Sequence, residues 1–234
     1  MEDSDFDVVC VQETKTNQYK APKQLIESLG YHSNWHFADR QGYSGVATFS
    51  RAKPDRVIKG IGIEKYDCEG RVLRTDFGEL TILNCYFPNG GSGEERQAYK
   101  MQFLADFLPF IENLLEDRPN LIVLGDFNIA HTNNDINSPQ RNKNRSGFLP
   151  EEREWMSEWF RCGMVDAFRH LHPDAVEYTF WRVATPTARE QNKGWRLDYH
   201  SVSDELIDQV SAVKHLKSVE HSDHCPVLLE FNNG

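Results

Sequence analysis

Short apolar runs alternate with longer amphipathic stretches along the 234-residue chain. Six of the short runs are rich in β-branched and aromatic residues and predict strands. Several of them are apolar throughout, which is typical of strands buried on both faces. The predicted strands cover residues 7–12, 45–50, 80–87, 121–125, 197–202 and 225–231.

Three amphipathic stretches predict helices, at residues 22–29, 94–116 and 150–163. Gly30 favours an end to the first helix, and Pro109 inside the second predicts a kink or a break. Pro150 begins the third and is followed by two glutamates, which suit the positive end of a helix dipole. Strands interleaved with helices predict an α/β layered fold, and we assign residues 1–234 to a single domain.

The composition excludes several classes of protein. With 39% hydrophobic and 26% charged residues the chain is globular, and no apolar run approaches the roughly 20 residues of a membrane span. The five cysteines form no CxxC pair and no signal peptide is visible, which predicts an intracellular, reducing location in the cytoplasm, at the nucleoid if the source is bacterial. The formal net charge of −10 argues against a nucleic-acid partner, although net charge does not report the local field at a site.

Polar side chains that can bind a metal lie at the ends of predicted strands. Glu13 follows the first strand, and Asp126 and Asn128 follow the strand at 121–125. The backbone there is expected to be extended, so that Asp126 and Asn128 point to the same side. Asp223 and His224 precede the last strand. Each group also has an ordinary interpretation, as a solvated strand end, an Asx turn or a surface turn.

Asp198 can complete this set, because a carboxylate that accepts from one imidazole nitrogen fixes the tautomer of a histidine such as His224. The set then consists of carboxylates, one amide and one imidazole, and oxygen ligands select Mg²⁺ or Mn²⁺ rather than zinc. Carboxylates around such a cation, with a histidine beside them, are typical of phosphoester hydrolysis.

Ten sequence segments, taken together and in order, carry a resemblance to a known family. They are VxxQETK, GYSGVATFSR, EGRV, YFPNGG, GDFNIAH, SGFLPEER, FRHLHPD, YTFW, GWRLDY and SDHCPV. The chain resembles the exodeoxyribonuclease III family of AP endonucleases, within the endonuclease/exonuclease/phosphatase superfamily, from about residue 7 to residue 231. The resemblance implies a four-layer α/β sandwich, in which two mixed β-sheets are flanked by helices.

The resemblance also implies roles for individual residues. It implies catalytic roles for Tyr86, Asp126, Asn128, Asp198 and His224. It implies metal binding by Glu13, Asp126, Asn128, Asp223 and His224. It implies substrate binding by Tyr43, Arg71, Asn89, Asn142, Phe180, Trp195 and Leu197.

Two of these groups have a distinct expected use. Phe180, Trp195 and Leu197 match an apolar pocket for a flipped, baseless sugar, although the same residues also suit an ordinary aromatic core. Asn142 lies in a short basic loop with Arg141, Lys143 and Arg145, which suits backbone phosphates locally.

The expected function is hydrolysis of a DNA phosphodiester 5′ to an abasic site, dependent on Mg²⁺ with Mn²⁺ as a substitute, together with 3′→5′ exonuclease or 3′-end cleaning activity. The expected partner is double-stranded DNA with abasic sites or 3′ ends, and the expected state is a monomer that does not bind membranes. The family opens with a further strand that has no counterpart here, so the domain is expected to be short at its N-terminus. Two alternatives stay open: a catalytically impaired DNA-binding remnant, and another phosphoesterase of the superfamily.

Overall fold

The computed structural model describes residues 6–182 and 187–232. The strands in these ranges are β1 (Val8–Gln12), β2 (His32–His36), β3 (Val46–Ser50), β4 (Arg56–Lys59), β5 (Val72–Phe77), β6 (Leu80–Tyr86), β7 (Leu121–Asp126), β8 (Met164–Asp166), β9 (Asp198–Ser203), β10 (Val210–His215) and β11 (Val227–Phe231). The helices are α1 (Lys23–Ser28), α2 (Glu64–Asp67), α3 (Glu94–Asp117), α4 (Pro139–Asn142), α5 (Pro150–Arg161), α6 (Ala167–Leu171) and α7 (Asp204–Ile207).

The chain divides into two compact units. Unit 1 comprises Met1–Phe87 and Leu114–Gly125, and unit 2 comprises Pro88–Asn113 and Asp126–Gly234. None of the helices in the described ranges has the length and apolar character that a membrane span requires. The single domain expected from the sequence stays a prediction.

Unit 1 is built on strands that pair in two groups. One group is a three-stranded antiparallel sheet in the order β1-β3-β2, and the other contains the neighbouring strands β4, β5, β6 and β7. Helix α1 packs against the first group, where Ile26, Tyr31, Trp35 and Phe49 form a buried cluster. The antiparallel register sets Gln12 opposite Val46, so the chain that follows β1 leaves the sheet beside the start of β3.

The core of unit 2 is aromatic. Helices α3 and α5 face each other through Phe107 and Trp159, whose rings stack with centroids 5.8 Å apart. The Trp159 ring also meets Phe127 edge-on, and Phe127 packs against Tyr199 of β9. Strand β8 pairs with β9 and strand β10 with β11, all antiparallel. The segment after β7 and the start of β9 are therefore held by one packed cluster.

All six predicted strands and all three predicted helices are present, with ends shifted by at most two residues. Helix α3 runs without interruption through Pro109, so no break occurs there. Strand β1 is half-buried at every position rather than buried on both faces, because it is the outer strand of the order β1-β3-β2. Strands β2, β4, β5, β8 and β10 were not predicted.

Candidate active site

The turn after β7 brings Asp126 and Asn128 together. The backbone N–H of Asn128 donates to Oδ1 of Asp126 at 2.7 Å, and its side-chain amide donates to Oδ2 at 3.0 Å. Asn128 has φ 52°, in the left-handed region that Asn tolerates better than most residues. The expectation of an extended backbone here is therefore wrong, since an Asx-type turn brings the two side chains into contact.

Asn89 joins this pair from the segment before α3. Its amide nitrogen donates to Oδ1 of Asn128 at 2.8 Å, while its own oxygen accepts from the N–H of Gly91 at 2.7 Å. Asp126 and Asn128 are 4% and 6% exposed, so this polar group lies below the surface rather than on it. The structure thus brings Asn89, which was predicted separately, against the predicted pair of Asp126 and Asn128.

His224 and Asp198 form a hydrogen-bonded pair in the same unit. His224 Nδ1 lies 2.8 Å from Oδ2 of Asp198. Burial alone would lower the pKa of the His224 imidazole, but the carboxylates of Asp198, Asp126 and Asp223 raise that pKa to about 10. The imidazole is accordingly a cation at neutral pH, with Nδ1–H donating to Asp198 and Nε2–H as a second donor. Without a bound metal, this second donor suits contact with a phosphate oxygen.

The predicted pocket residues lie next to this pair. Phe180 forms an isolated bridge with Trp195 on one side and with His224 on the other, and the Phe180 and His224 rings are 4.9 Å apart. Leu197 is buried in a cluster against which Phe180 and Trp195 pack while remaining partly exposed. An apolar cluster with two partly exposed aromatic rings suits a ligand surface as well as a core.

Unit 1 holds four of the predicted residues, which are Glu13 and a cluster of Tyr43, Arg71 and Tyr86. The Arg71 guanidinium donates to the Tyr43 hydroxyl at 3.0 Å and to the Tyr86 carbonyl at 2.9 Å, and it pairs with Glu69 at 2.5 Å. It also lies 4.9 Å from the centroid of the Tyr86 ring. Arg71 is only 2% exposed, so its guanidinium orients the two tyrosines rather than facing solvent.

Glu13 follows β1 in a tight connection with φ 52°. The N–H groups of Thr14 and Lys15 donate to the carbonyls of Gly45 and Ser44, which anchor the turn beside β3. The Glu13 carboxylate is about a third exposed and binds the Lys15 ammonium at 2.5 Å. The carboxylate that the sequence assigned to metal binding is therefore paired with the Lys15 side chain in this structure.

A scan of known protein families matches residues 1–224 to a model described as the Endonuclease/Exonuclease/phosphatase family. The chain belongs to this family. It is 39% identical to an exodeoxyribonuclease of Bacillus subtilis, over 99% of this chain and 90% of the relative. It is 38% identical to the DNA repair nuclease APEX1 of Danio rerio, over 96% of this chain and 73% of the relative.

Solved structures of the family share the fold. The 3′ phosphatase NExo from Neisseria bound to a product DNA hairpin superposes with a TM-score of 0.92 at 28% identity, covering 98% of this chain and 90% of that one. An AP endonuclease from Archaeoglobus fulgidus gives a TM-score of 0.90 at 28% identity, covering 97% and 89%. The predicted family and fold class, an α/β sandwich of mixed sheets flanked by helices, are confirmed.

The donor chemistry of this family member fits a divalent cation. Among the residues that the structure describes, no group of three or more His, Cys, Asp or Glu side chains is arranged as a ready metal cage. Nevertheless, the carboxylates of Asp126, Asp198 and Asp223 create a field negative enough to keep His224 protonated, and such a field attracts cations. These groups offer oxygen ligands, which Mg²⁺ and Mn²⁺ prefer.

Some predicted residues are used inside the protein, and some important ones were not predicted. Asn142 ends the short helix α4 rather than lying in a loop, and its side-chain amide donates to the carbonyls of Asn137 and Ser138 just before that helix. Thr179 is fully buried, and its hydroxyl accepts from the N–H groups of Leu197 and Asp198. Thr179 lies in the YTFW segment, which was the available signal for it.

Proposed function

We propose that the protein is a divalent-metal-dependent DNA repair nuclease that hydrolyses the phosphodiester 5′ to an abasic site, and that the same site trims or cleans 3′ ends. The observation that carries the proposal is the contact of a charged His224–Asp198 pair with the apolar cluster of Phe180, Trp195 and Leu197. Acid–base groups beside a pocket that suits a bare sugar match the chemistry of an abasic nucleotide. The names of the relatives, an exodeoxyribonuclease, a DNA repair nuclease and an AP endonuclease, support the same reaction.

In the proposed reaction, water attacks the phosphorus and the bond to the 3′ oxygen breaks. The 3′ oxygen leaves with the bonding electron pair and takes a proton from solvent, which gives a 3′ hydroxyl and a 5′ phosphate. Asp126 orients the water and takes its proton, while Asn128 holds the water and a phosphate oxygen. His224 donates from Nε2 to a phosphate oxygen and offsets the charge that develops in the transition state. Tyr86 and Asn89 are assigned to the phosphate, as the family resemblance implies.

The proposed metal residues are Glu13, Asp126, Asn128 and Asp223, all of which present oxygen atoms. When bound, a divalent cation supplies Lewis-acid polarisation of the phosphate and shields the anionic substrate from these carboxylates. His224 also belongs to the proposed metal set, and without a bound metal its cationic imidazole suits a phosphate oxygen. Mg²⁺ with Mn²⁺ as a substitute, a monomeric state and an intracellular location are parts of the same proposal.

The pocket recognises the substrate by shape. An abasic nucleotide leaves the helix at little cost because no base pairing is lost, and its sugar fits where a nucleotide with a base does not. Phe180 and Trp195 are partly exposed and would contact the sugar, while Leu197 is a buried residue of the cluster on which they pack.

The test compares purified protein on three substrates: an abasic duplex, an intact duplex with a 3′ end, and a phosphoinositide, each with Mg²⁺ and with excess EDTA. We expect rapid incision of the abasic strand, slower 3′-end digestion, no phosphoinositide hydrolysis, and loss of all activity in EDTA. Hydrolysis of the phosphoinositide in place of DNA would assign the protein to another phosphoesterase class. Tight binding of abasic DNA without cleavage would support the impaired remnant.

A further inference from the structure

Lys100 of α3 and Glu152 of α5 form an ion pair that is fully enclosed in unit 2. Both side chains are 0% exposed, and Nζ lies 2.7 Å from Oε1. Removing two charges from water is costly, and neutral residues of similar volume are often as stable or more stable. A contribution to stability is therefore a poor explanation for this pair, and its other contacts indicate a second role.

The second contact of Lys100 is with the proposed catalytic turn. Its Nζ donates to the backbone carbonyl of Asn128 at 2.9 Å. Asn128 is thereby held at four points: its N–H and amide nitrogen by Asp126, its side-chain oxygen by Asn89, and its carbonyl by the ammonium. Its left-handed backbone is tolerated by Asn better than by most residues but still costs free energy, and these contacts hold it in place.

Glu152, the partner of Lys100, also binds the backbone of the loop before α5. Its Oε2 accepts from the N–H of Gly147 at 2.6 Å and from the N–H of Leu149 at 3.0 Å, and its Oε1 also accepts from Gln97. The Gly147 carbonyl in turn accepts from the N–H of Ala130, two residues beyond Asn128.

Gly147 fills a narrow space between the catalytic turn and the pocket. A methyl group at this position would lie 3.1 Å from the Asn128 carbonyl oxygen and 3.1 Å from the Trp195 ring, and its φ of 93° disfavours any side chain. The loop fixed by Glu152 thus leaves little room for a side chain beside the Asn128 carbonyl and the Trp195 ring.

We propose that the buried Lys100–Glu152 pair is a positioning device that sets the Asn128 carbonyl and the Trp195 wall at a fixed spacing. The inference rests on the proposed function, because it assumes that Asn128 handles the water and phosphate and that Trp195 lines the sugar pocket. Lys100 and Glu152 are positioning residues, since Lys100 contacts the catalytic turn and Glu152 contacts the loop that carries Gly147, and neither is assigned a contact with the substrate.

The test replaces Lys100 by methionine, which keeps the length of the side chain but removes the donor to Asn128. Glu152 retains its donors from Gln97, Gly147 and Leu149. We expect kcat on abasic duplex to fall about 10- to 100-fold, as for a small misplacement of reacting groups, with KM changed less than about threefold. Incision kinetics and the thermal midpoint are measured on the same preparation.

Trp155→Phe is the matched control. It removes the hydrogen bond at 2.8 Å from Trp155 to the Leu104 carbonyl, which joins the same two helices one turn further along. We expect it to lower the thermal midpoint while kcat stays within about twofold of the parent. A fall in kcat that follows the thermal midpoint in both variants overturns the inference, as does an unchanged kcat in Lys100→Met.

Lys100→Met leaves the buried Glu152 carboxylate without its counter-charge, and this variant could fail to fold for that reason. A second variant therefore tests the inference without a buried unpaired charge. The double variant Lys100→Met/Glu152→Gln buries no net charge, and we expect it to fold and to show the same loss of kcat. A folded double variant with full kcat overturns the inference. Failure of the proposed function is a separate outcome, since the parent protein itself would then leave abasic DNA intact.

Discussion

At the scale of single residues, the chemical role of His224 depends on the carboxylates around it. The sequence identified an Asp and a His that could pair, and the structure confirms a direct bond between Asp198 and His224. The sequence did not reveal the charge state of His224. The pKa of its imidazole also depends on Asp126 and Asp223, which only the fold brings close to it. For the same reason, the Lys100–Glu152 pair could not be predicted from residues 52 positions apart in the sequence.

Replacing His224 by asparagine removes the cationic donor, and we expect kcat on abasic DNA to fall about 10²- to 10⁴-fold. Asp198→Asn should act in the same direction, since it releases the imidazole from its orientation. Binding of abasic DNA without metal should change much less. His170→Asn, at an exposed position of α6, is the control. Full activity of Asp198→Asn beside an inactive His224→Asn would contradict this role for Asp198.

Trp195→Ala should reduce selectivity for abasic DNA rather than activity in general. The ring packs on the apolar cluster beside Phe180, so its loss removes a wall of the proposed pocket. We expect the ratio of kcat/KM for abasic incision to that for 3′-end digestion to fall about tenfold. Phe148→Leu, a buried member of the same cluster, controls for lost packing. An equal loss in both reactions would identify Trp195 as core.

At the scale of elements, the predictions succeeded where a strand or helix carries its own apolar pattern. The runs before Glu13 and Asp126 are apolar and were found, whereas β2 reads HSNWH and has no clear alternation. Its strand character comes from pairing with β3, which a pattern along one segment does not contain. Pro109 was expected to disturb α3, but Phe103 and Phe107 are fully buried before it and Ile111 after it, so packing holds both sides of the helix.

The contact between α6 and β10 makes a prediction about acid stability. The His215 ring at the end of β10 stacks on Phe168 of α6, with centroids 4.2 Å apart, and its side chain is fully enclosed. Burial, together with the charges of Arg196, Lys217, His200 and Arg169, lowers its pKa to about 3. The Glu177 carboxylate lies 3.2 Å from Nδ1 but is partly exposed, so it does not offset these effects.

Because the folded pKa lies below the unfolded value near 6.5, the unfolded chain binds the extra proton first. Stability is therefore full above pH 6.5 and declines as the pH falls toward 3, by up to about 1.4 kcal/mol per pH unit from this residue. His215→Phe keeps the stack and removes the titration. We expect its thermal midpoint to fall less than that of the parent between pH 7 and pH 4.5, and parallel curves would contradict the assignment.

At the scale of the whole molecule, the formal charge of −10 opposes binding to a polyanion. Binding to DNA then depends on where the positive residues lie rather than on their number. Arg141 in α4 and Lys143 and Arg145 in the loop that follows it are exposed in unit 2, whereas Arg71 and Arg196 are buried and used inside the protein. Composition alone therefore argued against the partner that the motifs and the relatives favour.

This distinction between local and total charge gives a direct test. Changing Arg141, Lys143 and Arg145 to glutamine moves the formal charge from −10 to −13, since three positive charges are removed. If the loop binds phosphates, affinity for duplex DNA should fall, and the slope of log K against log salt should decrease by up to about 0.9 for each phosphate that is no longer neutralised. Arg161, Lys214 and Lys217 have side chains that are 65%, 56% and 43% exposed, and the same changes there also give −13. We expect the control triple variant to leave the affinity for duplex DNA and the salt slope nearly unchanged. Equal losses of affinity in the two triple variants would show that total charge, rather than the loop, controls DNA binding.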